Sequence, residues 1–176
     1  MRMVRVLLVI VVVAFGARAG AQCTAPGSPA SCNQPGNVSI TAGRVVRLQM
    51  SVNSTSLTAP TTGDFDAGFN STTGPTLTVS ANAAWTLNIR AASAVWTATN
   101  TTTGVLARAN KPAADLKWSS ASSGAFSALS ASDATLVSGN ATAINATTLY
   151  FQTLYNWSLD TPGSYSLSIV LTLTSP

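Results

Sequence analysis

The chain has 176 residues, nine Lys and Arg, five Asp, no Glu and no His, with a formal net charge of +4 and only 8% charged residues. Without histidine, Ser/His and Cys/His nucleophile pairs and His-based metal sites are excluded. A length near 150 residues beyond the N-terminal segment sets the expectation of one domain.

The first predicted element is an export signal over residues 1–21. Arg2 and Arg5 precede an apolar run from Val6 to Phe15, and small residues follow with A-x-A sites ending at Ala19 and Ala21. About ten apolar residues are too few to span a bilayer, which takes about twenty, so no transmembrane anchor is expected in the mature chain. Gln22 before Cys23 breaks a lipobox. Removal of the signal also takes Arg2, Arg5 and Arg18 away, leaving six basic side chains against five aspartates. No basic stripe for a phosphate backbone remains, and nucleic acid is not expected as a partner. The expected location is secreted: extracellular, at the cell surface or periplasmic.

Residues 22–36 form a Pro- and Gly-rich loop between Cys23 and Cys32, the only cysteines. In an oxidising compartment a Cys23–Cys32 disulfide is expected. It closes a loop of about ten residues and contributes roughly 2.5–3 kcal/mol.

Residues 37–176 read as short strands. Val38–Thr41 and Val45–Val52 come first. Residues 53–76 are rich in Ser, Thr, Gly and Pro and read as loops. Strands resume at Thr76–Ser80 and at Ala84–Arg90, where Trp85, Leu87 and Ile89 share a face. Val95–Thr99, Leu116–Ser119, Ala125–Leu129 and Thr135–Val137 are weaker. Thr147–Leu159 places Leu149, Phe151, Tyr155, Trp157 and Leu159 on one face, and Ser164–Thr174 alternates throughout. Thr161-Pro162-Gly163-Ser164 reads as a tight turn joining the last two strands into a hairpin. Ser130–Thr135 could hold one helical turn at most. Period-two alternation against hydroxyl residues predicts an all-β fold, a single antiparallel β-sandwich of Ig-like or Greek-key type.

Two features invite chemistry. Asp64, Asp66 and Asn70 in Gly63–Asn70 are oxygen donors at a spacing that suits a hard cation, but no third carboxylate follows. The favoured reading is a solvated turn, with no metal or cofactor expected. Seven N-x-[ST] sequons reflect the abundance of Ser and Thr. A glycosidase could still assemble from distant aspartates, but nothing in the sequence calls for one, and no catalytic residue is assigned.

Two segments contain W-x-L: Asn82–Ile89, with Trp85 and Leu87, and Tyr150–Pro162, with Tyr150, Leu154, Trp157 and Leu159 followed by Asp160 and Pro162. The second resembles the distal motif of WxL domains, Y-x-x-x-L-x-W-x-L followed by an acidic residue and proline. The resemblance implies a β-rich, non-enzymatic surface domain that attaches non-covalently to cell-wall polymer or to partner surface proteins. Trp85, Leu87, Tyr150, Leu154, Trp157, Leu159 and Pro162 would be its binding residues. The plain alternative is that Trp85 and Trp157 fill a core. Low lysine, high alanine and the cysteine loop depart from that family. Pro162-Gly163-Ser164-Tyr165 and the alternating final strand also resemble secreted pilus and spore-coat-U-like subunits. That resemblance implies self-assembly by strand addition.

Overall fold

The computed structural model describes residues 26–27, 32 and 37–176. The expected signal (1–21) and Cys23 of the expected disulfide lie outside the described residues. The chain divides into two compact units, 1–41 and 42–176. In the first, residues 37–41 carry no ladder, and Val38 and Ile40 are exposed at 99% and 92%.

The second unit is all-β, with antiparallel sheets, a short helix and a 3-10 turn. Its elements are β1 (Val46–Met50), α1 (Thr62–Ala67), β2 (Phe69–Ala81), β3 (Trp85–Ala91) and β4 (Thr97–Thr99). A 3-10 turn (Ala113–Asp115) precedes β5 (Leu116–Ser119), β6 (Ser127–Ala128) and β7 (Ala134–Gly139). β8 (Thr142–Leu154), β9 (Ser164–Ser166) and β10 (Ile169–Thr174) complete the chain. The sheets are β1-β2-β8-β5-β6, β10-β3-β7 and the pair β4-β9.

One apolar cluster draws on both larger sheets. Leu77 and Val79 of β2 and Leu149 and Phe151 of β8 join Trp85, Leu87 and Ile89 of β3. These are the positions the alternation singled out, and their hydroxyl-bearing neighbours turn outward. Burial of these seven side chains contributes about 1.5–3 kcal/mol each toward offsetting the chain entropy lost on ordering. Among the described residues no helix is long and apolar enough to cross a membrane.

Three expectations need correction. The final hairpin does not form: β9 pairs with β4, with Ala98 opposite Tyr165, and β10 pairs with β3, with Leu171 opposite Ile89. β8 and β10 therefore belong to different sheets. The predicted strand to Leu159 stops at Leu154, because side chains beyond it offer the backbone other partners. The Asn156 carboxamide oxygen accepts from Ser158 N (2.9 Å), and the Asp160 carboxylate accepts from Asn156 N (2.8 Å). Such local bonds compete with a strand ladder.

Residues 53–76 are not all loop. Thr61 and Asp64 form a reciprocal capping box that starts α1. Gly68 ends the helix at φ 79°, where a Cβ is disfavoured. β2 then begins at Phe69, its polar first half held by pairing with β8, Phe69 opposite Leu154. The Ser/Thr-rich composition hid this strand, because its order comes from its neighbour rather than from its own burial.

Candidate functional site

The two W-x-L segments look alike in sequence and are placed in opposite ways. Trp85 is 2% exposed, at the start of β3, and its indole N–H donates to Asn140 O at 2.8 Å. Leu87 is fully buried beside it. Both are core residues. Trp157 is 60% exposed and sits on the turn after β8, away from any strand. Leu159 and Pro162 are exposed too, and Tyr150 and Leu154 are half-buried on β8. The expectation that Trp157 lies on the apolar face of a strand is therefore corrected.

Trp157 nevertheless has a defined seat. Its ring stacks on Phe65 of α1, with centroids 4.6 Å apart and a 30° tilt, and Phe65 in turn meets Tyr155 at 5.3 Å. The indole N–H donates to Asp66 Oδ1 at 3.1 Å. The three rings form a stripe, with Phe65 supplied by a helix that composition alone did not reveal.

The same contacts show how the two aspartates of Gly63–Asn70 are engaged. Asp64 accepts from the backbone N–H and the hydroxyl of Thr61, each at 2.7 Å, and these hold its carboxyl below the ordinary carboxylate value. Asp66 is engaged by Trp157. The segment is a capped helical turn rather than a solvated loop. Among the described residues no three His, Cys, Asp or Glu side chains converge as a metal site.

Beneath the turn lies a charge network that sequence reading did not find. Lys111 is 2% exposed. Its ammonium donates to Asp160 Oδ1 (2.7 Å), Leu154 O (3.0 Å) and Asp115 Oδ2 (3.2 Å), so all three of its protons are placed. Arg108 bridges the same two carboxylates at 2.9 and 3.0 Å. Burial works to raise the Asp160 pKa, but Lys111 and Arg108 outweigh it and hold that carboxyl below its ordinary value. For Tyr155, burial and the nearby Asp64 charge push the phenol up.

The backbone delivers Lys111 to this place. Asn110 takes a left-handed φ of 58°, which asparagine tolerates. Trp96 N then donates to Lys111 O, and Ala113 N to Ala94 O, each at 2.8 Å. Asp160, the acidic residue after the distal motif, thus ties the Trp157 turn to the body of the domain. Tyr165 adds a second tie: its hydroxyl donates to Thr161 O (2.6 Å) and accepts from Arg108 N (2.8 Å). Gly163 allows the close approach, since a Cβ there would lie 3.2 Å from Thr99 O and against Ala107.

Above the network opens a cleft of about 820 Å³, within the range of small-ligand sites. Phe65, Tyr155 and Trp157, the segment Leu57–Pro60 and the segment Pro162–Tyr165 line it. Of the seven residues assigned to binding from sequence, Trp157 and Pro162 line this cleft, and Trp85, Leu87, Tyr150, Leu154 and Leu159 do not. Lys111 was detectable in principle. In so weakly charged a chain, Arg108, Lys111, Asp115 and Asp160 are four of only eleven charges beyond residue 21.

No protein-family model matches the chain, and no curated protein matches it in sequence.

Proposed function

We propose that this chain is an exported, non-enzymatic cell-surface module, WxL-like in its distal motif, that attaches non-covalently to cell-wall polymer or to a partner surface protein. The observation that carries this reading is Trp157. A large aromatic, 60% exposed, is held on a turn fixed by a buried ion network and faces a cleft. Exposed aromatics on rigid supports are the anchors of binding surfaces. A non-catalytic role is supported by the state of the acids. Each of the five aspartates is engaged by a donor or cation of the chain, including Asp133 with Arg90 at 3.5 Å.

We further read the two larger sheets as the layers of a single Ig-like sandwich, since they share one apolar cluster. The Tyr165 hydroxyl bonding back to a carbonyl four residues upstream supports this, because Ig-like sandwiches carry such a tyrosine at a sheet corner.

The test is co-sedimentation of the processed protein with purified cell wall. Trp157→Ala should lose most of the pelleting while its melting temperature falls by only a few degrees. A folded Trp157→Ala variant that pellets like the parent would overturn the reading.

One further observation favours strand addition, the pilus-like alternative. β1 and β10 are edge strands, and a groove of about 710 Å³ is lined by Leu48, Met50 and Val52 and by Leu167, Ile169 and Leu171, with Ser54–Ser56, Ser166 and Ser168 among them. An unpaired edge over apolar side chains is a template for another strand. Val38 and Ile40 of a second copy have the alternation to fill it. Fibres containing this protein on the producing cell would favour that reading, and a diffuse wall layer would count against it.

A further inference from the structure

Resting on the surface-binding reading, we propose that the Trp157 cleft takes an uncharged glycan, a pyranose ring stacked on the free face of the indole. Three observations select this chemistry. First, the indole N–H is already donated to Asp66 at 3.1 Å. What Trp157 offers a ligand is therefore its π-face, and the other face is covered by Phe65. A ring of C–H groups needs only that face, whose quadrupole is negative at its centre. An extended peptide held in an aromatic groove would want the indole N–H for one of its carbonyls, and that donor is taken.

Second, the cleft has no spare charge. Lys111 and Asp160, its two ionised lining residues, neutralise one another at 2.7 Å. Arg108 and Asp115, bonded to the same pair at 2.9 and 3.2 Å, bring the network to zero net charge, and the charges beside the aromatic rings, Asp64 and Asp66, are acidic. Anionic polymers, phosphodiester or carboxylate, meet repulsion there with no free cation in compensation. Third, the rings are arranged as a stripe. Phe65 packs against both Trp157 (4.6 Å) and Tyr155 (5.3 Å), so that ring faces are spent on one another. A cage for a quaternary ammonium needs ring faces on several sides of the cation. The remaining lining, Thr58 and Ser164 among it, supplies hydroxyls of the kind that fix a sugar's orientation.

The experiment titrates the processed full chain with tetra-N-acetylchitotetraose, following tryptophan emission and heat. Binding is expected to change little between about 0.05 and 0.5 M salt, where a charge-driven complex would weaken steeply. Trp157→Ala should lower affinity at least about tenfold, the equivalent of about 1.4 kcal/mol. Trp157→Phe should retain most of it, because a face remains and the lost N–H was never the ligand's.

Parallel titrations use chitosan oligomers, polyglutamate, polyphosphate and choline. Preference for any of these over the neutral oligosaccharide overturns the inference. So does neutral-glycan binding that Trp157→Ala leaves intact. If whole cell wall pellets the protein in a Trp157-dependent way and no neutral oligosaccharide binds, the inference falls and the surface-binding reading stands. If neither depends on Trp157, both fall.

Discussion

Trp85→Ala is expected to destabilise the protein by about 3–5 kcal/mol, whereas Trp157→Ala, the same substitution in the other W-x-L segment, should cost only about 1 kcal/mol. Trp85 is 2% exposed, and its removal leaves a cavity lined by strands of the core and orphans Asn140 O. Gly139 lies so close that a Cβ there would come within 2.9 Å of the Trp85 ring, so the site is tightly filled and cannot easily collapse. Trp157 gives up a stack on Phe65 and one exposed hydrogen bond. Thermal melting should separate the two variants by roughly 10 °C. Equal losses would mean that Trp157 is a core residue after all.

Lys111→Met is the second large effect, about 3–5 kcal/mol. The substitution keeps most of the side-chain length and removes the charge. Asp160, with 6% of its side chain exposed, then keeps Arg108 and the Asn156 N–H but loses one of its two cations, and Leu154 O loses its donor. Breaking a buried pair from one side costs far more than the pair contributes net, because the remaining ion stays desolvated.

The effect has a pH signature. The folded Asp160 carboxyl sits below its unfolded value of about 3.9. Its contribution is therefore present above that value and lost as pH falls through the lower folded one. Without Lys111 the folded value rises, so acid unfolding of Lys111→Met should begin at higher pH than in the parent. Acid titration of both proteins by circular dichroism checks this. Coincident acid transitions would show that Lys111 does not hold the Asp160 charge.

The strands were legible where burial wrote a period-two pattern. β3 announces itself through Trp85, Leu87 and Ile89, and β10 through Ile169, Leu171 and Leu173, because one face of each meets the core. Pairing was not legible. Whether β10 adjoins β8 or β3 depends on how the chain crosses between sheets, and the Pro162-Gly163 turn suggested a hairpin where β9 instead pairs with β4 and β10 with β3.

The site was half legible. The distal motif pointed to Trp157 and to an acid after it, but alternation placed the tryptophan on a strand. The local bonds of Asn156 and Asp160 decide otherwise, and they are visible only as side chain meeting backbone. Phe65 was hidden because a six-residue helix leaves no periodicity, although Thr61 three residues before Asp64 was a usable capping signal.

The most direct test of the central claim, that the distal motif displays its tryptophan to a surface ligand, is acrylamide quenching of intrinsic fluorescence with and without cell wall. The chain has four tryptophans, and Trp85, Trp96 and Trp118 are all buried. The quenchable emission should thus come almost wholly from Trp157 and disappear in Trp157→Phe. Wall binding should shield it, bringing the quenching constant of the bound protein close to that of the variant. Protein that pellets with the wall while Trp157 stays fully quenchable would contradict the account and place attachment elsewhere on the molecule.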